Sequence, residues 1–296
     1  MKIVFYIDNN SSYIKILLNY FSKLSKSYYK KFKILKVSNV KHLVKQNNIN
    51  LIIICPIRMI KPKLVKYLNK YKKIRKILYN LDGLILKSMF KKHIKLLNKI
   101  NNLIIWEYSK LNFKILYKLI DKNNIKYIPC SLTYSTLNLD NEKTIDVLFY
   151  GKMNDRRINL YNKLKELENI NVIFNDKLSG KRKNNMLKKC KIALIINKYD
   201  YKIKKCIPKD FFRLSYLVDN NIFTLTENCN ENEGYKDLTI LTDYDDFIPN
   251  ILKYLKLTDK ERLEIAKKNR ENYRKKYSMK SILSKKYINS LLKKIE

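Results

Sequence analysis

Residues Leu51–Cys55 read LIIIC, a strand-length run with no polar residue in it. A strand with one face in water alternates apolar and polar side chains. An unbroken run must be covered on both faces, as in parallel sheets flanked by helices. Runs of this kind recur through the first half. Lys2–Ile7, Phe32–Val37, Asn50–Cys55, Lys76–Tyr79, Leu103–Trp106 and Ile125–Ile128 are predicted strands. Between them, Ser12–Leu24, Lys61–Tyr71, Leu84–Ile100 and Leu111–Ile120 carry apolar residues at helical spacing. Strand–helix alternation predicts a doubly wound α/β domain.

The alternation stops at Pro129–Lys143. This stretch is polar, lacks helical periodicity and reads as a linker. It then restarts: strand Ile145–Tyr150, helix Arg156–Leu167, strand Asn171–Phe174, helix Lys183–Cys190 and strand Ile192–Asn197. After the loop Lys198–Pro208 come helix Lys209–Val218 and strands Ile222–Thr226 and Leu238–Leu241. Helices Asp246–Leu255, Asp259–Tyr277 and Lys280–Lys294 close the chain. A chain of 296 residues accommodates two domains of about 150 each. The expected division is an N-terminal domain over 1–135, a C-terminal domain over 144–278, and a last helix, 279–296, that crosses back to the first domain.

The net charge is +38, from 64 Lys and Arg against 26 Asp and Glu. Lys, Asn, Ile and Tyr, the residues of A/T-rich codons, are all abundant, while Gly (4) and Pro (5) are scarce. The basic residues are nearly all lysine, whereas bidentate recognition of phosphates and bases favours arginine. Codon bias therefore accounts for the charge better than a dedicated nucleic-acid surface. Non-specific attraction to polyanions and anionic membrane surfaces is still expected. The apolar stretch of Met1–Asp8 is too short for a signal peptide, and no run approaches the ~18 residues of a membrane span. Cys55, Cys130, Cys190, Cys206 and Cys229 are widely scattered without metal or redox spacing, which fits reduced thiols in a cytoplasmic compartment. The histidines are His42 and His93, too few for a His-based metal site.

Two segments carry candidate chemistry. In Val147–Arg157, VLFYGKMNDRR, a buried strand meets Gly151 and then a helix start with Asn154 or Asp155 as cap. A glycine there admits a phosphate to the backbone, and the helix N-terminus favours its charge. In Pro208–Tyr216, PKDFFRLSY, Asp210 and Arg213 share a helix face in the first turn. A carboxylate at the strand-end crevice can accept both hydroxyls of a ribose. An ordinary cap and an i,i+3 ion pair would use the same residues.

The order of these segments resembles GT-B glycosyltransferases, in particular the group similar to bacterial spore-maturation glycosyltransferases and their viral relatives. The matching segments are DVLFYG (Asp146–Gly151) with Arg156–Arg157, LIIN (Leu194–Asn197), DFFRLSY (Asp210–Tyr216) and TLTEN with Glu227. In the first half they are YNLDGL (Tyr79–Leu84) and WEYSKLN (Trp106–Asn112). The chain departs from the group at Asp210, where glutamate is usual, and at Lys198, where histidine is frequent. The resemblance implies two Rossmann-like domains facing across a cleft, with a nucleoside-diphosphate sugar held by the second. It implies metal-independent glycosyl transfer with no permanently bound cofactor. Gly151, Asn197, Asp210, Arg213, Ser215 and Glu227 would bind the donor, and Lys152, Arg156, Lys209 or Arg213 would stabilise the departing diphosphate. The acceptor (glycan, protein or nucleic acid) is left open. Asp8, Asp82 and Glu107 are available as its base, and a viral chain of this kind would act in the host cytoplasm. The alternative is a nucleic-acid-binding protein, or an inactive glycosyltransferase-like one, using its basic surface. The Asp243–Asp245 pair, an Asp-x-Asp, reads as a helix start with Asp245 as its cap.

Overall fold

A computed structural model describes residues 2–7, 33–46, 48–55, 57, 60–80, 93–129, 137–139, 142–203, 210–232, 235–277, 282 and 284–292. The chain divides into two compact units, one of Met1–Pro129 with Met279–Glu296, the other of Cys130–Ser278.

The first unit holds strands β1 (Lys2–Ile7), β2 (Lys33–Val37), β3 (Leu51–Cys55), β4 (Arg75–Asn80), β5 (Leu103–Glu107) and β6 (Ile125–Tyr127). They form one parallel sheet in the order β2-β1-β3-β4-β5-β6. All five residues of β3 are buried, as its unbroken apolar run requires. Helices α1 (Val40–Val44), α2 (Pro62–Leu68) and α3 (Lys110–Leu116) belong to this unit. The periodicity misses α1, which is only five residues long; Asn39 caps it by accepting from the His42 amide at 2.9 Å. Lys76 is wholly buried in β4 with its ammonium on the Tyr71 carbonyl, and burial brings its pKa down to about 8. A fully buried cluster sits at the carboxyl ends of β4 and β5. There Glu107 accepts from Asn80 (2.6 Å), the Ser109 amide (3.0 Å) and Asn112 (3.1 Å).

The second unit holds β7 (Ile145–Tyr150), β8 (Val172–Asn175), β9 (Cys190–Ile195), β10 (Thr224–Glu227) and β11 (Ile240–Thr242). These are again parallel, in the order β11-β10-β9-β7-β8. Its helices are α4 (Asp155–Lys165), α5 (Gly180–Lys189), α6 (Phe211–Asp219), α7 (Phe247–Leu255) and α8 (Asp259–Tyr277). Phe149, Leu164, Ile192, Leu194, Leu225, Phe247 and Ile251 are completely or almost completely buried in its core. The first strand of each sheet has the second on one side and the third on the other. The chain therefore reverses direction across each sheet at the gap between first and third strands. In open α/β sheets, ligands bind outside the carboxyl ends at that gap.

The last helix, α9 (Lys285–Leu292), belongs to the first unit, where Tyr287 accepts from the Trp106 indole at 2.8 Å. Several expected boundaries move. Cys190 opens β9 by pairing with Ile145, where periodicity extended the preceding helix. Asp246, not Asp245, stands at the N-cap of α7. Asp210 is the N-cap of α6 rather than part of its first turn. Asp8, Asp82, Lys209 and the expected helix Ser12–Leu24 lie outside the described residues, as do Cys130 and Cys206. Cys55, Cys190 and Cys229 are buried. No helix among the described residues is long and apolar enough to cross a membrane.

Candidate functional site

At the gap between β7 and β9, the first residue beyond β7 is Gly151, with φ at +143°. A side chain rarely adopts that backbone conformation. A Cβ at this position would stand 2.7 Å from Nη2 of Arg213 and 3.3 Å from its Cζ and Nη1. The glycine therefore serves two ends: it makes the turn, and it admits a guanidinium against the backbone.

Arg213 is aimed there by the start of α6. Asp210 caps the helix by accepting from the Arg213 amide at 3.1 Å, and its other oxygen lies 3.2 Å from Arg213 Nη2. The guanidinium also lies 5.1 Å and 5.3 Å from the ring centroids of Tyr150 and Phe149. Its side chain is only 14% exposed, and Nη1 is buried without a hydrogen-bond partner among the described residues. An unpaired buried donor on a cation is costly unless an acceptor reaches it. An acceptor oxygen reaching this atom would remove that cost. Ser215, two residues on, is wholly buried, and its hydroxyl donates to the Phe212 carbonyl at 3.1 Å. Its described bond is thus internal to the helix.

Further positive charge crowds the same corner. Arg157 donates to the carbonyls of Lys152 and Ile196, and its pKa falls to about 10, chiefly through burial and then through Arg213. Lys183 of α5 lies 3.8 Å from the Tyr216 ring centroid and 5.6 Å from that of Tyr150, with its pKa lowered by burial and by Arg213. Lys152 is exposed. Periodicity and motif reading both miss Lys183 and Tyr150 as neighbours of Arg213. They are brought in by the packing of α5 on β7, which no local signal announces.

Arg156 and Glu227 form a second group. Glu227, at the end of β10, is fully buried and grips Arg156 with both oxygens, one at 2.8 Å. It also accepts from the Asn197 amide at 2.7 Å. Burial raises the Glu227 pKa while Arg156 opposes the rise. Arg156 stacks 3.7 Å from the ring centroid of Tyr244, whose hydroxyl bonds the Arg156 carbonyl. The Asn197 side chain donates to the Asn228 carbonyl at 2.7 Å. The structure thus joins three expected donor-site residues, Arg156, Asn197 and Glu227, to one another. Both carboxylate oxygens of Glu227 accept from protein donors, which ties the ends of β9 and β10 to α4.

Asp243 accepts from Tyr201 and Asn228, both at 2.8 Å, and fastens the 198–203 loop to the end of β11. These bonds hold its pKa below the usual carboxylate value. No cluster of three His, Cys, Asp or Glu that could hold a metal occurs among the described residues. A cavity of 350 Å3 lies elsewhere, at the amino-terminal edge of the same sheet.

No protein-family model matches the sequence, and no curated protein matches it. Similarity appears in solved structures. A mutant of S. aureus TarM, crystallised with fondaparinux, alpha-GlcNAc-glycerol and UDP, superposes with a TM-score of 0.59 at 15% identity, over 82% of this chain and 55% of that one. OtsA gives 0.55 at 9% identity, over 96% and 78%. A Listeria monocytogenes protein assigned as a UDP-N-acetylglucosamine 2-epimerase gives 0.53 at 10% identity, over 96% of both chains. The fold is GT-B-like. The chain spans about half the length of TarM.

Proposed function

We propose that the protein is a GT-B glycosyltransferase that takes its sugar from a nucleoside diphosphate, bound at the carboxyl edge of the second sheet. The observation that carries this reading is the buried Nη1 of Arg213, unpartnered among the described residues and held on Gly151 at the point where the chain reverses across the sheet. Breaking a glycosyl–phosphate bond leaves negative charge on the diphosphate. Fixed donors in a water-poor site stabilise that charge without having to reorganise. Arg213 supplies a donor already stripped of water, and Arg157 and Lys183 add positive potential behind it. Asp210 keeps one oxygen on the Arg213 amide and one by Nη2, and at 40% exposure it can still take a ribose hydroxyl. Arg156, bound by Glu227, acts as a brace rather than a diphosphate ligand. The reading requires no metal, so transfer would persist in excess chelator. The solved structures that share the fold, one of them containing UDP, support it.

The test is calorimetric titration of UDP and UDP-GlcNAc into the wild type and the Arg213→Lys variant. Saturable binding is expected, weakened about 10- to 150-fold in the variant, the range of a lost charged hydrogen bond of about 1.5–3 kcal/mol. Equal affinity in both would remove Arg213 from the site. No binding of any nucleoside diphosphate would leave the glycosyltransferase reading without a donor.

A further inference from the structure

We propose a second ligand site in this unit: the cavity at the amino-terminal edge of the second sheet, suited to a small organic anion with an apolar body. Its volume of 350 Å3 lies in the lower range of small-molecule pockets. Leu139, Ile222, Phe223 and Leu263 supply apolar walls. The strands around it run away from it: Lys143 precedes β7, Cys190 opens β9, and Ile222–Phe223 lead into β10. The Gly151–Arg213 site lies at the other end of the same strands. Six residues of β7 put the two sites about 20 Å apart.

Charge selects the ligand. Two of the lining cations are already engaged. Lys191 pairs with Asp146 at 2.7 Å, and Arg262 pairs with Asp259 while donating to the carbonyls of Tyr254 and Leu257. Lys143 is not engaged in this way. It is half-buried, and its ammonium makes a single described bond, 2.5 Å to the Lys188 carbonyl. An ammonium carries three donors, so two remain for a ligand. Lys260 stands exposed at the rim and adds to the positive potential, against Glu142, also exposed. Asn221 lines the same cavity in a left-handed backbone conformation, φ +55°, and its Oδ1 is buried with no partner among the described residues. A ligand with an anionic head for Lys143, a hydroxyl or N–H for Asn221 and an apolar body would satisfy each of these groups.

The test is calorimetry on the full chain with three probes that all carry a phenolic hydroxyl for Asn221: 4-hydroxybenzoate, 4-hydroxyphenyl phosphate and the uncharged 4-hydroxybenzyl alcohol. Single-site saturation by 4-hydroxybenzoate or 4-hydroxyphenyl phosphate, and none by 4-hydroxybenzyl alcohol, is expected; the better anion identifies the head group. Lys143→Met should weaken binding at least tenfold. Leu263→Trp, which fills the cavity with every lysine retained, should do the same and keeps the test valid if Lys143→Met fails to fold. Lys163→Met removes an equal charge from the exposed face of α4 and should change nothing. Loss of affinity equal in Lys163→Met and Lys143→Met would reduce the effect to diffuse charge and overturn the proposal. So would the absence of saturable binding, or displacement of 4-hydroxybenzoate by UDP, since the site would then not be a second one.

Discussion

Gly151→Ala tests the donor site at its tightest point. The new methyl would sit 2.7 Å from Arg213 Nη2, closer than real Cβ contacts come, so one of the two must move. Arg213 has little room, because Asp210 stands 3.2 Å from the same nitrogen and the Tyr150 ring centroid is 5.1 Å from Cζ. The backbone cannot relieve the clash cheaply, because φ of +143° is itself unfavourable for alanine. Strain of this kind costs about 1–3 kcal/mol. For a unit of this size it lowers the melting temperature by roughly 2–12 °C, at about 2–4 °C per kcal/mol. Displacing the guanidinium also removes a charged hydrogen bond to the diphosphate, worth about 1.5–3 kcal/mol, or about a 10- to 150-fold loss of UDP affinity. Scanning calorimetry and UDP titration of Gly151→Ala, Arg213→Lys and the double variant separate the two costs. The affinity losses should be strongly non-additive, because the alanine acts by moving the arginine. Additive losses, or wild-type affinity in Gly151→Ala, would refute the argument that glycine exists there to admit Arg213.

Four further outcomes are expected. Glu227→Ala leaves Arg156 partly buried without its carboxylate, and loss of one partner from a buried pair costs about 3–5 kcal/mol, read by urea unfolding; a loss below 1 kcal/mol would contradict the clamp. Asp210→Asn keeps the helix cap and breaks an ion pair whose carboxylate is 40% exposed, so stability should move by less than about 1 kcal/mol while UDP affinity falls; a large drop in melting temperature would make Asp210 purely structural. Lys76 has a folded pKa of about 8, lowered by burial from 10.5. Between those values the unfolded chain holds more protons, so stability should rise as pH goes from about 8 to 10.5. Lys76→Met should make that rise shallower in pH-dependent unfolding, and an unchanged slope would show that Lys76 is not desolvated in the fold. Binding to duplex DNA should be independent of sequence and fall steeply between about 50 and 200 mM salt in a filter or anisotropy assay; tight, sequence-selective binding at physiological salt would instead support a nucleic-acid protein.

Much of the fold could be read along the chain because its signals are local. The apolar run of β3 demands cover on both faces, and the spacing in Asp259–Tyr277 marks α8 to its ends. The same holds for the pairing of Asp210 with Arg213, which are three residues apart and need only a helix to meet. Strand order was not legible, because a parallel sheet joins strands separated by whole helices and nothing local says which side of β7 receives β8. That order decides that Gly151 and Asn197 flank one gap. Tertiary packing also decides the work of each candidate. Glu227 and Arg156 lie 71 residues apart in sequence, and only in the folded unit does burial force the carboxylate to spend both oxygens on its partner. Among the described residues Arg213 keeps an unpartnered buried donor for the same reason: the rings, the glycine and the helix cap that surround it converge from different segments.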